Sequence, residues 1–326
     1  MRKINGVPVE AHTDLSNLTG GEVLKWDSTN TLMAWEDQDS TGYVPVVWYG
    51  GRGVFGGGSS NVIDYITIAT TGNALDFGDL STSRTELGGC SDGTTGLFNG
   101  GLVGGATFSN VIDYVTISTT SNALDFGDLS TSRYGVSSLS DGTKGLSGGG
   151  DASGSVTTID YVTISTAANA LGFGDLTLAR YRSATCADAT YGVWAGGENG
   201  STQFNTIDYV TIATTGNATD FGDLTVARRG SGGCSNTVRG VFGGGFSSLD
   251  TIDYITIATT SNATDFGNLS SARHYTSACS DGTKGVFGGG NSSNVIDYVT
   301  IATTGNATDF GNLTVAREQL AGLSGD

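Results

Sequence analysis

A pattern of alternating apolar and polar residues recurs along most of this chain. In the best-preserved copies it reads IDYVTIATTGNATDFG. The period of two in IDYVTIAT, together with its β-branched residues, predicts a strand. The T-G-N or T-S-N that follows predicts a turn, and N-A-T-D-F-G predicts a short second strand that ends in glycine.

Two further strands are predicted after the arginine that closes each copy. A run of small residues such as HYTSACS comes first, followed by the apolar run GVFGGG. Three copies place Asp-Gly between these runs, at Asp92-Gly93, Asp141-Gly142 and Asp281-Gly282. Asp-Gly favours a tight hairpin because both residues tolerate positive φ. Each unit is therefore expected to hold four short strands and no helix.

The unit occurs six times, and its spacing is informative. The tripeptide Ile-Asp-Tyr begins at Ile63, Ile112, Ile159, Ile207, Ile252 and Ile296. The interval from that Ile to the closing Arg is identical in all six copies, and so is the interval from the Arg to the next GVFGGG-like run in all five cases. Only the third interval varies, from its shortest at Gly53–Ile63 to its longest at Gly96–Ile112.

Four strands in a unit of roughly 45 residues make a propeller blade. The sequence therefore predicts an all-β, six-bladed β-propeller over residues 41–326.

The motifs of the unit resemble the Kelch repeat over about residues 44 to 317. The shared elements are the double glycine Gly289-Gly290, the pair Asp297-Tyr298, Phe310 and Arg317. The order of the Asp-Tyr pair is reversed from the commonest Kelch arrangement, and Phe310 stands in place of the usual Trp. The resemblance implies a Kelch-like six-bladed propeller.

Two segments are candidates for the inner strand of the first blade, which must close the ring. We favour Val44–Tyr49, directly before the first GVFGGG run at Gly53. The alternative is the segment Glu318–Asp326, because EQLAGLSGD resembles the inner-strand run HYTSACSD. In that case, a strand exchange would tie the last blade to the first.

Composition and charge exclude several classes of function. The chain has 32 acidic and 15 basic residues, for a formal net charge of −17, which disfavours nucleic acid and anionic membrane surfaces as partners. Its two histidines, His12 and His274, disfavour His-based catalysis and a multi-His metal site. A galactose-oxidase-like copper enzyme, known among Kelch-like propellers, is the least favoured alternative for this reason. The sequence shows no membrane-spanning apolar run and no secretory signal.

Two positions of the unit carry repeated charges that we interpret as structural. Asp is expected to cap turns and to pair with the repeat Arg between blades. The arginines are Arg84, Arg133, Arg180, Arg228, Arg273 and Arg317. The aspartates are Asp64, Asp113, Asp160, Asp208, Asp253 and Asp297. No cofactor is predicted, and a structural Ca²⁺ at D-F-G-D is the alternative because oxygen ligands are available there.

The four cysteines are one position of the unit, six residues after a repeat Arg, where the third blade has Leu139. They are Cys90, Cys186, Cys234 and Cys279. Equivalent positions on separate blades are too far apart for disulfides, so we expect small buried thiols. A metal-binding ring of thiolates is the alternative.

The insertions between repeats fall in the loop between the second and third strands. Strand parity places this loop and the connection between blades on one face, and the other two turns on the opposite face. Variable loops on a rigid scaffold commonly carry recognition, although neutral drift in loops is the alternative. The predicted recognition residues are Phe108, Glu198, Gln203, Phe204 and Phe246.

Residues 1–40 lie outside the repeat and are predicted to attach the protein to a partner. Glu22–Trp26 and Thr31–Trp35 are predicted to form a hairpin around a D-S-T-N turn. An isolated hairpin is marginally stable, so it should pack on another subunit or partner. The apolar residues expected to do so are Leu24, Trp26, Leu32, Met33 and Trp35.

The segment LSNLTGGEVLKWD resembles a short element of bacteriophage tail fibres and other virion appendages, and the IDYVTIATTGNATDFG repeats resemble propellers of tailed phages. These resemblances imply a non-enzymatic, homo-oligomeric virion protein of the tail-fibre, appendage or decoration type. It would bind other virion proteins through residues 1–40 and a host-surface glycan or protein through the propeller. A bacterial Kelch-type interaction scaffold is the alternative.

Overall fold

The computed structural model describes residues 50–247 and 249–325 and, before them, the backbone pairing of four short strands. The chain divides into two compact units, Met1–Val44 and Pro45–Asp326. In the first, Lys3–Ile4 pairs with Val7–Pro8, and Glu22–Asp27 pairs with Leu32–Asp37, both antiparallel. The predicted hairpin is therefore present. The side chains expected to attach it, those of Leu24, Trp26, Leu32, Met33 and Trp35, lie outside the described part of the structure.

The second unit consists of six four-stranded antiparallel sheets, which confirms the predicted six-bladed propeller. We call the strands a to d from the axis outward. Blade 1 contains Leu320–Gly325, Arg52–Gly57, Ser60–Thr67 and Leu75–Arg84. Blade 2 contains Gly88–Ser91, Thr95–Asn99, Val111–Thr116 and Leu124–Asp128, with a small hairpin of Leu102–Val103 and Thr107–Phe108. Blade 3 contains Ser137–Ser140, Lys144–Gly148, Thr158–Thr163 and Leu171–Asp175.

The remaining three blades have the same plan. Blade 4 contains Ala184–Ala187, Tyr191–Ala195, Thr206–Thr211 and Thr219–Asp223. Blade 5 contains Gly232–Ser235, Arg239–Gly245, Leu249–Thr256 and Thr264–Asn268. Blade 6 contains Ser277–Ser280, Lys284–Gly288, Val295–Thr300 and Thr308–Asn312. Among the described residues, no helix is long and apolar enough to cross a membrane.

The ring closes through the C-terminal segment, so our preference for Val44–Tyr49 as the inner strand was wrong. Leu320–Gly325 pairs antiparallel with Arg52–Gly57, from Leu320 opposite Gly57 to Gly325 opposite Arg52. The physical reason lies in the connection, because Arg317 leads into Leu320 as every other repeat Arg leads into the next inner strand. Val44–Tyr49 has no such arginine before it, and it lies outside the described residues.

Six apolar clusters fill the seams between neighbouring blades. At the seam of blades 1 and 2, Val54 and Phe77 pack with Phe98 and Val115, and each is at most 2% exposed. The Tyr of strand c and the Phe of strand d also meet edge to face within every blade, with ring centroids 5.8–6.1 Å apart. Successive residues of a strand therefore enter opposite seams: in blade 1, Ile63 and Tyr65 pack in one seam and Ile66 and Ile68 in the other.

A buried ion pair crosses every seam. The repeat Arg ends strand d in blade 1 and lies five residues beyond strand d in the other blades. Its Nη2 lies 2.6–3.1 Å from an Asp carboxylate in strand c of the next blade. The pairs are Arg84–Asp113, Arg133–Asp160, Arg180–Asp208, Arg228–Asp253, Arg273–Asp297 and Arg317–Asp64.

Backbone and hydroxyl groups complete the coordination of these charges. Arg84 Nη1 donates to the carbonyls of Gly100 and Val111, each at 2.7 Å, and Asp113 Oδ1 accepts from Ser81 Oγ at 2.6 Å. Burial lowers the pKa of Arg84, while the charge of Asp113 opposes this change. The arginine therefore links two strands of the next blade, and removing either charge leaves the other buried without its partner.

The four cysteines are free and buried, as expected from their shared repeat position. Each thiol fills the space left by a glycine of the next blade; a Cβ at Gly240, for example, would collide with Cys186 Sγ. Burial raises the pKa of Cys90 and Cys234 to about 12, so these thiols stay protonated at neutral pH. Within the described residues, no group of three or more His, Cys, Asp or Glu side chains is placed to hold a metal.

Candidate recognition site

The two faces of the propeller use the same backbone but different kinds of residue. One face carries the a–b and c–d turns, whose sequences repeat from blade to blade, and we call it the uniform face. The other carries the b–c loops and the connections that follow each repeat Arg, and we call it the varied face. All the differences in loop length fall on the varied face, which is therefore the candidate recognition surface.

Six residues of the varied face form a closed ring around the axis, one from each connection, two positions after the repeat Arg. We call Glu86, Gly135, Arg182, Gly230, Tyr275 and Gln319 the mouth ring. Each backbone N–H donates to the carbonyl of the preceding member, at 2.6–3.1 Å. The last of these bonds runs from Glu86 N–H to Gln319 C=O at 2.8 Å, so the ring closes on itself.

The mouth ring forces every member into the left-handed backbone region. Its φ values lie between 56° and 64°. Glycine is the ordinary residue for this conformation, and Gly135 and Gly230 fit it without strain. Glu86, Arg182, Tyr275 and Gln319 occupy it at a cost of order 1–3 kcal/mol each. Strained positions of this kind cluster at functional sites, and here they bring four polar or aromatic side chains to one opening.

The residue directly after a repeat Arg pairs with a residue between strands b and c of the next blade. In five blades, the loop residue's N–H donates to the carbonyl of the connection residue at 2.8–3.1 Å. The pairs are Leu102 with Thr85, Asp151 with Tyr134, Glu198 with Tyr181, Phe246 with Arg229 and Asn291 with His274. The five loop residues all differ, and among the connection residues only Tyr occurs twice. Each contact therefore joins two varied positions on one rigid backbone.

A chain of alternating charges crosses the mouth from blade 2 to blade 5. Arg182 Nη2 lies 2.6 Å from Glu86 Oε1, and Arg182 Nη1 lies 2.7 Å from Glu198 Oε1. Glu198 also pairs with Arg229. The carboxylates are nearly buried, with side chains 5% and 1% exposed, whereas the two guanidinium groups are 16% and 17% exposed. The cations therefore reach the solvent from above an acidic layer.

Aromatic rings surround this charge chain. The guanidinium carbon of Arg182 lies 4.8 Å from the ring of Tyr181, 5.1 Å from Tyr275 and 5.9 Å from Tyr134. On one side Phe108 contacts Tyr134, with ring centroids 5.1 Å apart. These distances are those of cation–π and aromatic packing.

The aromatic band continues on the opposite side of the mouth. The guanidinium carbon of Arg229 lies 3.9 Å from the ring of Phe246, whose centroid is 5.1 Å from that of His274. His274 in turn contacts Tyr275 at 4.7 Å. The aromatic residues of blades 2 to 6 thus form one connected surface around the charges.

Burial and charge shift the titration of these groups. Burial opposes the charge of Arg182, but the hydrogen bonds and charge of Glu86 outweigh it and raise the pKa of the guanidinium. Burial, with the negative charge of Glu198, raises the pKa of Tyr181 to about 12. Burial lowers the pKa of His274, against the opposing charge of Glu318. At neutral pH the mouth therefore presents fixed cations, neutral tyrosines and a neutral imidazole.

A cavity of about 80 Å³ lies on the axis inside the mouth ring. It is lined by all six ring members and by the six residues that follow them, Leu87, Val136, Ser183, Ser231, Thr276 and Leu320. A narrow channel lined by the small residues of the inner strands continues from it along the axis.

The structure brings three of the five predicted recognition residues, Phe108, Glu198 and Phe246, into the mouth. Phe108 and Phe246 belong to the aromatic surface, while Glu198 is 1% exposed and positions Arg182 and Arg229 from beneath. Gln203 lies opposite Glu198 in the same loop, and Phe204 is half-buried with its N–H bonded to Gly197.

The sequence reasoning missed the residues of the connections. The prediction of the varied loops rests on loop length, whereas the segment after each repeat Arg has constant length. Its first two residues nevertheless change in every copy, reading TE, YG, YR, RG, HY and EQ. A change of identity at fixed length, in a unit otherwise so uniform, is the pattern that would have identified them.

Comparison with known proteins identifies no family, because no family model and no curated protein matches the chain. The interpretation of the varied face therefore depends on its geometry.

Proposed function

We propose that this protein is a non-enzymatic recognition module of a tailed-phage virion, of the tail-fibre, appendage or decoration type. In this proposal residues 1–40 attach it, as a homo-oligomer, to other virion proteins. The propeller then presents its varied face to a glycan or protein on the host surface.

One observation carries the recognition role, the concentration of differences on one face of an otherwise repetitive molecule. Four strained side chains, a charge chain and a connected aromatic surface meet at the mouth. A propeller that served only as a spacer would need none of them, and glycine at each ring position would remove the strain. The virion assignment is supported by the resemblance of LSNLTGGEVLKWD and of the repeats to phage proteins.

Three variants test the two halves of this proposal in reconstituted particles. Deletion of residues 1–40 should leave a soluble monomeric propeller that no longer joins the particle, since the attachment segment is gone. Exchanging the b–c loops 102–109 and 198–205 should leave incorporation unchanged and reduce adsorption to host cells at least tenfold, measured by particle counting. Incorporation of the truncated chain would refute attachment. Unchanged adsorption of the loop variant, and of Tyr275→Gly, would refute recognition.

A further inference from the structure

Two arginines supply the accessible positive charge of the varied face. Of the basic residues in 50–326, six form the ion pairs of the seams. Four others begin strand b at the uniform face, and these are Arg52, Lys144, Arg239 and Lys284. The remaining two are Arg182 and Arg229. Both lie in connections at the mouth, where the repeat itself requires no cation.

One carboxylate holds these two guanidinium groups side by side. Arg182 Nη1 lies 2.7 Å from Glu198 Oε1, and Arg229 Nη1 contacts Glu198 Oε2. Because the two oxygens belong to a single carboxylate, the two cations must be neighbours. Burial raises the pKa of Tyr275 while the charges of Arg182 and Arg229 oppose the rise, so this ring lies near both of them.

The outward-facing groups of this pair are hydrogen-bond donors. A guanidinium has five N–H groups, and Arg182 uses three of them on Glu86 and Glu198. Arg229 uses Nη1 on Glu198, whereas its Nη2 bonds to no other described residue and is not buried. The side chains of the two glutamates are only 5% and 1% exposed. A ligand that reaches the mouth therefore meets free N–H donors before any of these carboxylate oxygens.

Two further carboxylates of the varied face are engaged by backbone groups. Glu318 Oε2 accepts from Ser292 N–H at 3.1 Å. Asp151 Oδ1 accepts from the N–H groups of Ser153 and Gly154, each at 3.0 Å. The net charge of −17 still repels anions at a distance, but solvent ions screen this repulsion beyond about 8 Å. A ligand with one anionic group in direct contact with the arginines is therefore favoured over a polyanion.

Half-buried aromatic rings border the arginine pair. The rings of Tyr134 and Tyr275 lie 5.9 and 5.1 Å from the guanidinium carbon of Arg182. The ring of Phe246 lies 3.9 Å from that of Arg229. Apolar rings beside polar donors match a sugar, which has an apolar ring face and a polar rim. The axial cavity of about 80 Å³ has room for no more than a few water molecules, so the sugar would lie across the mouth.

We propose that the mouth binds a saccharide that carries one oxyanion, as a carboxylate or a phosphate ester. The oxyanion accepts hydrogen bonds from the free N–H groups of Arg182 and Arg229, since guanidinium groups match both kinds of anion in geometry and charge. The sugar ring lies against Tyr275 and the neighbouring aromatic rings. This assignment rests on the proposed recognition function and names its ligand class.

The test uses the full chain and four sugars with a common ring: glucose, glucuronate, glucose 6-phosphate and the cationic glucosamine. NMR titration should give about tenfold tighter binding of at least one anionic sugar than of glucose, because hydrogen bonds to charged groups are the stronger ones. The tighter of the two identifies the preferred oxyanion. Glucosamine should bind no more tightly than glucose. Acetate and inorganic phosphate should bind about tenfold more weakly than the sugars that carry the same group.

Matched arginine variants locate the binding. Arg229→Gln removes one cation and leaves Glu198 paired with Arg182, so it should weaken binding of the anionic sugar about tenfold and leave glucose binding unchanged. Arg239→Gln is the control, because Arg239 lies in the same blade, 4.7 Å from the ring of Tyr254 and bonded to two carbonyls, but at the uniform face. It should change neither affinity. If Arg229→Gln does not fold, the ranking of the sugars on the unsubstituted protein decides.

Equal binding of glucose and the anionic sugars, or full affinity in Arg229→Gln, would overturn the oxyanion assignment. Equal binding of acetate or inorganic phosphate would mean an adventitious ion only, and equal binding of a capped diglutamate peptide would overturn the saccharide. If no sugar binds while Tyr275→Gly still reduces host adsorption, this inference fails and the recognition function stands. If adsorption is unchanged in both Tyr275→Gly and Arg229→Gln, the recognition function fails with it.

Discussion

The uniform and varied faces of the propeller differ in the role of their loop side chains. On the uniform face, each a–b turn of blades 2 to 6 has an Asp or Asn whose Oδ1 accepts two backbone N–H bonds. These residues are Asp92, Asp141, Asp188, Asn236 and Asp281. Each c–d turn has an Asn that accepts a backbone N–H of the neighbouring blade at 3.0–3.1 Å, in all six blades. Every one of these side chains has the same structural task in each copy.

The varied face has an equally regular backbone, but its side chains do not make one hydrogen bond that repeats in every blade. The mouth ring has the same φ and the same hydrogen bond in all six connections, but its members range from Gly to Arg and Tyr. The comparison teaches that diversity in this fold does not require loops of different length. A fixed backbone ring can carry different side chains, provided the protein tolerates their strain.

The largest difference in the free energy of unfolding is expected between substitutions of two neighbouring arginines, Arg180 in a seam and Arg182 at the mouth. Arg180→Met leaves Asp208 buried without its partner and should lower the free energy of unfolding by about 3–5 kcal/mol. Arg182→Met should cost about 1–3 kcal/mol, because its side chain is 16% exposed and water can reach the carboxylates it leaves. Urea denaturation of both variants measures the difference. Equal losses would contradict the division between seam and mouth.

An intermediate effect on stability is expected when a strained residue of the mouth ring is replaced by glycine. Gln319→Gly relieves a left-handed φ of 60°. This relief should offset the greater flexibility of the unfolded chain and the loss of the Gln319 Nε2–Glu86 Oε1 hydrogen bond, so we expect a change in the free energy of unfolding of less than about 1 kcal/mol. Glu318→Gly, one residue earlier and outside the positive-φ set, also loses one side-chain hydrogen bond, from Ser292 N–H, but relieves no strain, so it should lose about 1–2 kcal/mol. The two variants are compared by thermal and urea unfolding. A larger loss in Gln319→Gly than in Glu318→Gly would argue that the ring is not strained.

The smallest effect on stability is expected from the protonation of His274 as the pH falls. Because burial lowers its folded pKa below the ordinary 6.5, the neutral imidazole contributes stability above pH 6.5, and that stability is lost as the pH falls. The stability of the unsubstituted protein relative to His274→Gln should therefore decrease between pH 7.5 and pH 5. Parallel thermal scans across this range measure it, and the remaining titrating groups are common to both chains. A constant difference between the two proteins would show that the site does not sense protonation.

Much of the fold can be predicted from the local sequence, because each blade repeats the same spacing of apolar, glycine and charged residues. The period of two in the IDY strand reflects side chains that enter two opposite seams in turn, as Ile63 and Ile66 do in blade 1. The constant interval from the Ile of each IDY to its Arg, as from Ile63 to Arg84, reflects an Arg that must reach the next blade. Closure was harder to predict, since Val44–Tyr49 and Glu318–Asp326 both have strand-like composition. The decision came from the connection after Arg317, whose geometry matches the other five and completes the mouth ring.

The site was only partly predictable for a related reason. Phe108, Glu198 and Phe246 stand out because they interrupt a repeat, and the structure places all three at the mouth. Glu86, Arg182 and Tyr275 come from three different connections, and nothing local shows that Arg182 reaches Glu86 across the axis, 96 positions away in sequence. That contact depends on ring closure, which is a property of the whole chain.

The closing strand also bears on how such a protein can change in evolution. Because the sequence unit runs from strand b of one blade to strand a of the next, its boundary lies inside a blade and not at a seam. Recombination that adds or removes one whole unit would therefore create only junctions that the protein already contains, with the same Arg–Asp pair across each. The seams would accept another copy number, whereas the mouth would not, because a hydrogen-bonded ring of six backbone groups has a fixed circumference. Blade number is thus fixed at the axis, by the six members of the mouth ring.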